Sequence, residues 1–426
     1  PDLTLNVGVR WETDSPIVDM NNRMNSFDMT QLNPVSGTPG VVKFMGLNGF
    51  RTNPYEIDMN NFGPRVGLAW KPFGSANTVI RSGFGAFFAH PFDGGAPTAA
   101  SLGFELSANI NSPDNGVTIP FRLQDGVPGL NPTKPVLNDS FGAVKVGVNP
   151  NTAVTFFEPG RRTGYSLQYN LAIQRNMKGG VLVEGSYLAN LSRRLASSNM
   201  SINQVRPEIL TAASTQKDRP YPQFTNVTLN FPTLGVSNYH AMMLRTEKRF
   251  SNGFNFLASY TWSKFLNNTN EGGAVLGGEG GTYSNLYNRR MDYGPSENDI
   301  PHRLTLSGVY ELPVGKGRAF DPGRVGDWVL GGWGVGGVVT LQSGPSFTVN
   351  TQVNTVFSAI GALRADVSKN PNLAAGERTL ARWFDTSAFS QPVAAKFGNQ
   401  GVNILRGDGL VNFDFSAMKG LSLPGE

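Results

Sequence analysis

The residues of this chain alternate in character with a period of two over long stretches. From Leu3 to Trp11 the odd positions are Leu3, Leu5, Val7, Val9 and Trp11, and Thr4, Asn6, Gly8, Arg10 and Glu12 fill the even ones. Successive side chains of an extended backbone point to opposite faces, so this pattern predicts a strand between an apolar and a polar environment. Leu167, Tyr169, Leu171 and Ile173 repeat it against Ser166, Gln168, Asn170 and Gln174. So do Phe254, Phe256, Tyr260 and Trp262, then Leu304, Leu306, Tyr310 and Leu312, and finally Val411, Phe413 and Phe415. Weaker alternation predicts further strands over 63–71, 77–88, 181–190, 239–250 and 331–342. The total is about ten strands, most of roughly 9–13 residues, longer than the mode of 5–6 in globular sheets.

The connections narrow the architecture. Lys71–Asn77, Asn176–Gly180 and Phe250–Gly253 are short turns, and the Gly-rich 313–330 segment is somewhat longer. Between them lie long segments at 13–61, 90–163, 191–237, 266–299 and 343–407. Short and long connections therefore alternate along the whole chain. A soluble sandwich has no reason to keep such parity, and long structureless loops are uncommon in compact domains. An outer-membrane barrel has that reason, because short turns lie on the periplasmic side and long loops outside. The predicted fold is all-β, an antiparallel transmembrane β-barrel of outer-membrane type, with residues 1–426 as one barrel domain.

Composition fits this reading. With Gly 51, Pro 28, 39% hydrophobic and 16% charged residues, the chain is poor in the aliphatic side chains that fill a large soluble core. No apolar run is long enough for a spanning helix, but a barrel strand crosses in about 9–11 tilted residues, only half of them facing lipid. The mean hydropathy of -0.23 is therefore uninformative. Trp11, Trp70, Tyr187, Trp262, Tyr310 and Trp333 are placed near strand ends, where amphipathic rings favour the headgroup layer. A net charge of +5 without a basic, aromatic-interleaved run gives no support to nucleic-acid binding.

Candidate chemistry is sparse. Cys 0 removes disulfides and thiolate metal sites, and His90, His240 and His302 lack metal-ligand spacing. His302, beside Arg303 at a strand start, is expected to make hydrogen bonds at the rim. Gly332-Trp333-Gly334-Val335-Gly336-Gly337 satisfies the G-x-G-x-x-G pattern, yet Val338–Gln342 continues it as strand where a dinucleotide site needs a helix. No enzyme, cofactor or metal site is expected. The polar strand positions Arg10, Glu12, Arg81, Gln168, Asn170, Glu184, Arg245 and Glu247 are the candidate lumen-facing residues. The long loops, with tyrosines such as Tyr283, Tyr287 and Tyr293, read equally as a binding surface on a rigid scaffold or as solvated, partly mobile surface.

Several stretches resemble the barrel of TonB-dependent receptors of the Oar-like group, which carry a carboxypeptidase-regulatory-like domain. They are Leu3–Glu12, Asn61–Trp70, Tyr239–Gly253, Ala258–Lys264, Asp299-Ile300-Pro301-His302-Arg303, Tyr310–Arg318, Gly332-Trp333 and Leu341–Pro345. Their order along nearly the whole chain matches that group. The resemblance implies a Gram-negative outer-membrane receptor-transporter that takes up a nutrient, with outer-membrane lipid, the TonB complex and an unidentified nutrient as partners. It further implies a barrel of about 22 strands, of which these ten are a part. TonB box, plug and regulatory-like domain are then expected before Pro1, and the last strands after Glu426. The competing expectation is a non-energised surface protein, whether porin, adhesin or secretion-related barrel.

Overall fold

In a computed structural model, the described residues are 2–420 except 75–76, 90–109, 111, 113, 115–116, 128–135, 151–152, 198, 270–282, 352 and 358–362. Ten long strands form one continuous antiparallel sheet in chain order. They are β1 (Leu3–Glu12), β2 (Asn61–Trp70), β3 (Thr78–Phe88), β4 (Tyr165–Met177), β5 (Val181–Leu195), β6 (Gly235–Ser251), β7 (Phe254–Asn267), β8 (His302–Glu311), β9 (Trp333–Gln342) and β10 (Leu410–Lys419). A two-residue strand, Gly294–Pro295, pairs with the outer end of β7. Among the described residues β1 and β10 have no further strand beside them, so both sheet edges are free.

The pairing register keeps the alternation in phase from strand to strand. Val7 lies opposite Val66, Val66 opposite Phe84, Phe84 opposite Tyr169, and Tyr169 opposite Ala189. Across the other half, Leu244 lies opposite Tyr260, Tyr260 opposite Leu304, Leu304 opposite Leu341, and Leu341 opposite Val411. One face is thus apolar over its whole width. Its charged residues are Arg175, Arg193, Lys248, Lys264 and Lys419, all basic and all within a few residues of a strand end. Long cations at those positions reach the headgroup layer while their stems stay on apolar surface, as expected of the lipid face of an outer-membrane barrel.

Local chemistry explains the short connections. Between β6 and β7 the two turn residues, Asn252 (φ 54°) and Gly253 (φ 76°), both adopt positive φ. That is the geometry of a tight hairpin turn matched to strand twist, and Asn-Gly is its preferred pair. Between β8 and β9 the connection holds an element absent from the alternation pattern, an α-helix over Gly323–Leu330.

The five long connections are not structureless. Residues 13–60 contain a hairpin of Asn25–Leu32 with Pro39–Phe44. Val154–Phe157 and Met200–Ser201 flank Val227–Asn230 in a second small sheet, which draws on two connections. Strand β5 runs on to Leu195 and β6 starts at Gly235, so the third connection is 196–234, and Tyr187 falls within β5 rather than near its end. Within the wall strands only Ala86, Ala189 and Ala241 are buried hydrophobics; the remaining buried core lies in the connections.

Candidate functional site

The face opposite the apolar one carries all eight polar strand candidates. Arg10 pairs with Glu12 at 2.5 Å, Arg81 Nη1 donates to Gln174 Oε1 at 2.6 Å, and Arg245 pairs with Glu247 at 2.7 Å. Glu184 lies in register with Gln174 on one side and Arg245 on the other. Gln168 faces Asn190 across β4 and β5, and Asn170 lies opposite Gly83, where a Cβ would sit 3.0 Å from the Asn170 amide. These groups stay partly exposed, Arg10 by 60% and Arg245 by 47% of the side chain. Each such pair contributes roughly 0–1 kcal/mol, so the face is wet and adaptable rather than a rigid cage.

Across β6 to β10 this face sinks into a trough of about 590 Å³. Arg245, Glu247, Arg249, Asn255, Asp414 and Ser416 supply its polar lining. Glycines make the depression: a Cβ on Gly336 would stand 2.8 Å from Ser416 Oγ. The G-x-G-x-x-G match therefore lies largely inside β9, paired on both sides, and not in a strand-to-helix loop.

Above the outer strand ends, the long connections fuse into one cap. Phe27, Val42 and Phe44 from the first connection pack with Phe141, Val154 and Phe156 of the second and Phe224 and Val227 of the third. Phe27 has Phe156, Tyr221 and Phe224 around it at ring distances of 5.4, 5.1 and 5.6 Å. Gly40, at φ 107°, passes so close that a Cβ would lie 2.7 Å from the Phe27 ring. A second cluster joins Val205 and Leu210 of the third connection to Val356 of the fifth. Arg219, buried by the third connection, donates to Asn203 O at 2.9 Å and to Phe357 O at 3.0 Å and covers the Phe357 ring.

The fourth connection is locked to the third and fifth by polar groups. Tyr287 Oη donates to Gln204 O at 3.0 Å, and Leu286 N donates to Gln204 Oε1 at 3.2 Å. Arg364 pairs with Asp292 at 3.0 Å and donates to Ser284 Oγ at 2.9 Å, with both charges nearly enclosed. Burial pushes the Asp292 carboxyl up against the opposing pull of Arg364, and it lowers the Arg364 guanidinium. Burial likewise raises the hydroxyls of Tyr283, Tyr287 and Tyr221.

Two carboxylates tie the connections together, Asp58 joining the first to the second and Asp299 joining the fourth and fifth to the wall. Asp58 accepts from Thr163 N at 2.9 Å and faces Arg162 at 3.4 Å. Asp299, fully enclosed, accepts from Phe265 N at 2.6 Å, faces Lys264 at 3.4 Å and pairs with Arg406. The three tyrosines of the fourth connection serve the cap as well: Tyr283 is buried, Tyr287 holds Gln204, and Tyr293 Oη accepts from Asn238 at 2.5 Å. His302 Nδ1 meets Tyr260 Oη at 2.8 Å, and His240 Nδ1 meets Tyr187 Oη at 2.7 Å, both on the apolar face. His90 and part of the second connection lie outside the described residues. Among the described residues no group of three His, Cys, Asp or Glu could hold a metal ion.

Comparison with known proteins places the chain. A family model described as outer membrane beta barrel domain matches residues 1–426. Among curated proteins none matches. Similar solved structures include the FrpB iron transporter of Neisseria meningitidis, at 11% identity and a TM-score of 0.34, covering 82% of this chain and 32% of that one. The alcaligin outer-membrane receptor FauA of Bordetella pertussis is similar at 13% identity and a TM-score of 0.32, covering 80% and 34%. The siderophore receptor PiuA of Acinetobacter baumannii is similar at 10% identity and a TM-score of 0.33, covering 82% and 32%. The chain spans about a third of the length of these structures.

Proposed function

Because the chain belongs to the outer membrane beta barrel domain family, we propose that it forms part of the wall and the outer cap of a TonB-dependent receptor-transporter. The observation that carries this reading is the fusion of the outer connections into one folded cap above a polar, wet wall face. A passive pore gains little from such a cap. A receptor gains a preorganised capture surface, because ordering entropy is already met before the ligand arrives.

The eight polar residues are assigned to the lumen, where their mixed charges would dock a plug or guide a ligand without strong selection by sign. The free edges of β1 and β10 are closed by further wall strands in the whole protein, since an unpaired edge in hydrocarbon leaves backbone groups unsatisfied.

The test is a deletion strain compared with a TonB-deficient strain on panels of iron and carbon sources. The same nutrient-specific growth defect in both is expected, together with no steady conductance from the purified whole protein in planar bilayers. A large steady conductance would assign a porin. Normal growth with lost surface adhesion would assign an adhesin.

A further inference from the structure

The connection between β8 and β9 leaves the wall on the polar face and crosses to the apolar one. Its first part is held by Arg318, which pairs at 2.7 Å with Glu311 on the polar face. Its helix, Gly323–Leu330, ends against the apolar face. Trp333 Nε1 donates to Val329 O at 2.9 Å, and Lys419 Nζ donates to Trp328 O at 2.7 Å and Val329 O at 2.8 Å. Trp333 and Lys419 are register partners on the lipid side of β9 and β10, and the ammonium lies 5.2 Å from the indole ring centroid. A cation on the last carbonyls of a helix also suits the negative end of its dipole.

The helix has two unlike sides. Asp327 turns inward, where its carboxylate accepts from Lys316 N at 2.9 Å. Val325, Trp328 and Val329, at helical spacing on the other side, are exposed by 83%, 75% and 53%. Phe320 and Leu330 beside them are exposed by 71% and 55%. An apolar cluster of this size does not rest in water without cost, and it continues the lipid-facing surface of the wall at its short-turn rim. Lys419 beside the helix, and Lys248 and Arg175 further round the same rim on β6 and β4, complement phosphate headgroups.

We infer that Gly323–Leu330 is an interfacial helix that lies against the periplasmic leaflet of the outer membrane, its apolar side sunk among glycerophospholipid headgroups and upper acyl chains. Such helices bury their apolar side about 5–10 Å into the boundary. Trp328 is the anchor, Lys419 ties the helix end to the wall, and the rim cations hold the lipid phosphates. This inference rests on the membrane seat of the wall and not on what the protein transports, so loss of the transport reading leaves it standing.

The chain has no cysteine, so within it an introduced cysteine is a single labelling site, and any cysteine elsewhere in the whole protein is first replaced by serine. V325C, V329C and, as a control on the same connection, K316C are made in the whole protein, labelled with an environment-sensitive fluorophore and reconstituted in phosphatidylethanolamine–phosphatidylglycerol vesicles. Folded protein is selected by its heat-dependent gel migration, and two apolar positions keep the test alive if one fails to fold. Labels at 325 and 329 should emit at shorter wavelength than the label at 316. They should also be quenched by phospholipid carrying a nitroxide near the headgroup and resist aqueous iodide. Iodide quenching equal to that at 316, with no nitroxide effect, overturns the inference. Protection from iodide without nitroxide quenching also overturns it, because a protein rather than lipid then covers the helix.

Discussion

Asp299 and Arg406 stand 107 residues apart in sequence, and the guanidinium of one grips both the carboxylate and the backbone carbonyl of the other. The same Arg406 Nη1 reaches Gly344 O at 3.2 Å, and Asp299 also accepts from Phe265 N of β7. One enclosed carboxylate thus joins the fourth connection, the fifth connection and the wall.

Removing that carboxylate should loosen the cap before it harms the wall. Asp299→Ala is expected to cost about 1.5–3 kcal/mol, the range for hydrogen bonds to a charged group. Asp299→Asn, which keeps an acceptor for Phe265 N, should cost less. Limited proteolysis of the fourth and fifth connections reads the effect, and unchanged heat-dependent gel migration shows that the wall is intact. Equal protease resistance in wild type and both variants would refute the clamp.

The cap should also fail through its apolar centre. Phe27 is 2% exposed and ringed by aromatic side chains, so Phe27→Ala is expected to cost about 3–5 kcal/mol by cavity formation. Denaturant unfolding of the cap, followed by protease cleavage within residues 13–60, measures it. Phe27→Leu should recover much of the loss.

The two wall faces should respond oppositely to one added charge. Leu306→Arg, in the middle of β8 on the apolar face, should destabilise by about 2–4 kcal/mol, the range for a cation near the bilayer midplane. Thr305→Arg, next to it on the polar face, should be far milder. Folding yield into vesicles at several urea concentrations compares them, and equal losses would argue against the assignment of faces.

Acid should release the fifth connection locally. The hydrogen bond from Lys369, then that from Ser387, holds Asp385 down to about 2 from its usual 3.8. A depressed carboxyl stabilises the fold above its unfolded value and loses that contribution as pH falls through its folded value. Between about pH 4 and pH 2, the protection of the Ser387 amide, taken relative to its intrinsic exchange rate at each pH, should fall in the wild type. Asp385→Asn should abolish that pH dependence.

The wall was legible in the sequence because one physical rule governs it: lipid on one side and water on the other impose a period of two. Leu3–Trp11 and Ser166–Gln174 show the rule in full, and the register confirms one continuous apolar face. The cap was not legible, since no period marks which of Phe27, Phe156 and Phe224 will meet across three connections. Asp299 was visible as part of the Asp299-Ile300-Pro301-His302-Arg303 segment that carries the resemblance, but its partner Arg406 carries no signal of its own. The helix Gly323–Leu330 was hidden because Asp321-Pro322-Gly323 reads as a turn and the eight residues that follow are too few to show a period. Tyr187 was misplaced for a simpler reason: β5 continues past Asn190, where polar residues weaken the alternation.

The first core of the cap draws side chains from three separate hairpins, and the second joins Val205 and Leu210 to Val356 in the fifth connection. No hairpin therefore carries a complete outer structure of its own. Contacts between such distant segments form only after the intervening chain is ordered, so the cap is the last part to consolidate, after all ten strands are threaded. In a refolding time course, protease resistance at Phe27 should lag behind acquisition of the barrel's gel mobility. A protein built in this order reports the completion of its own insertion: while a strand that carries a cap segment is still outside the bilayer, the outer surface remains unfinished.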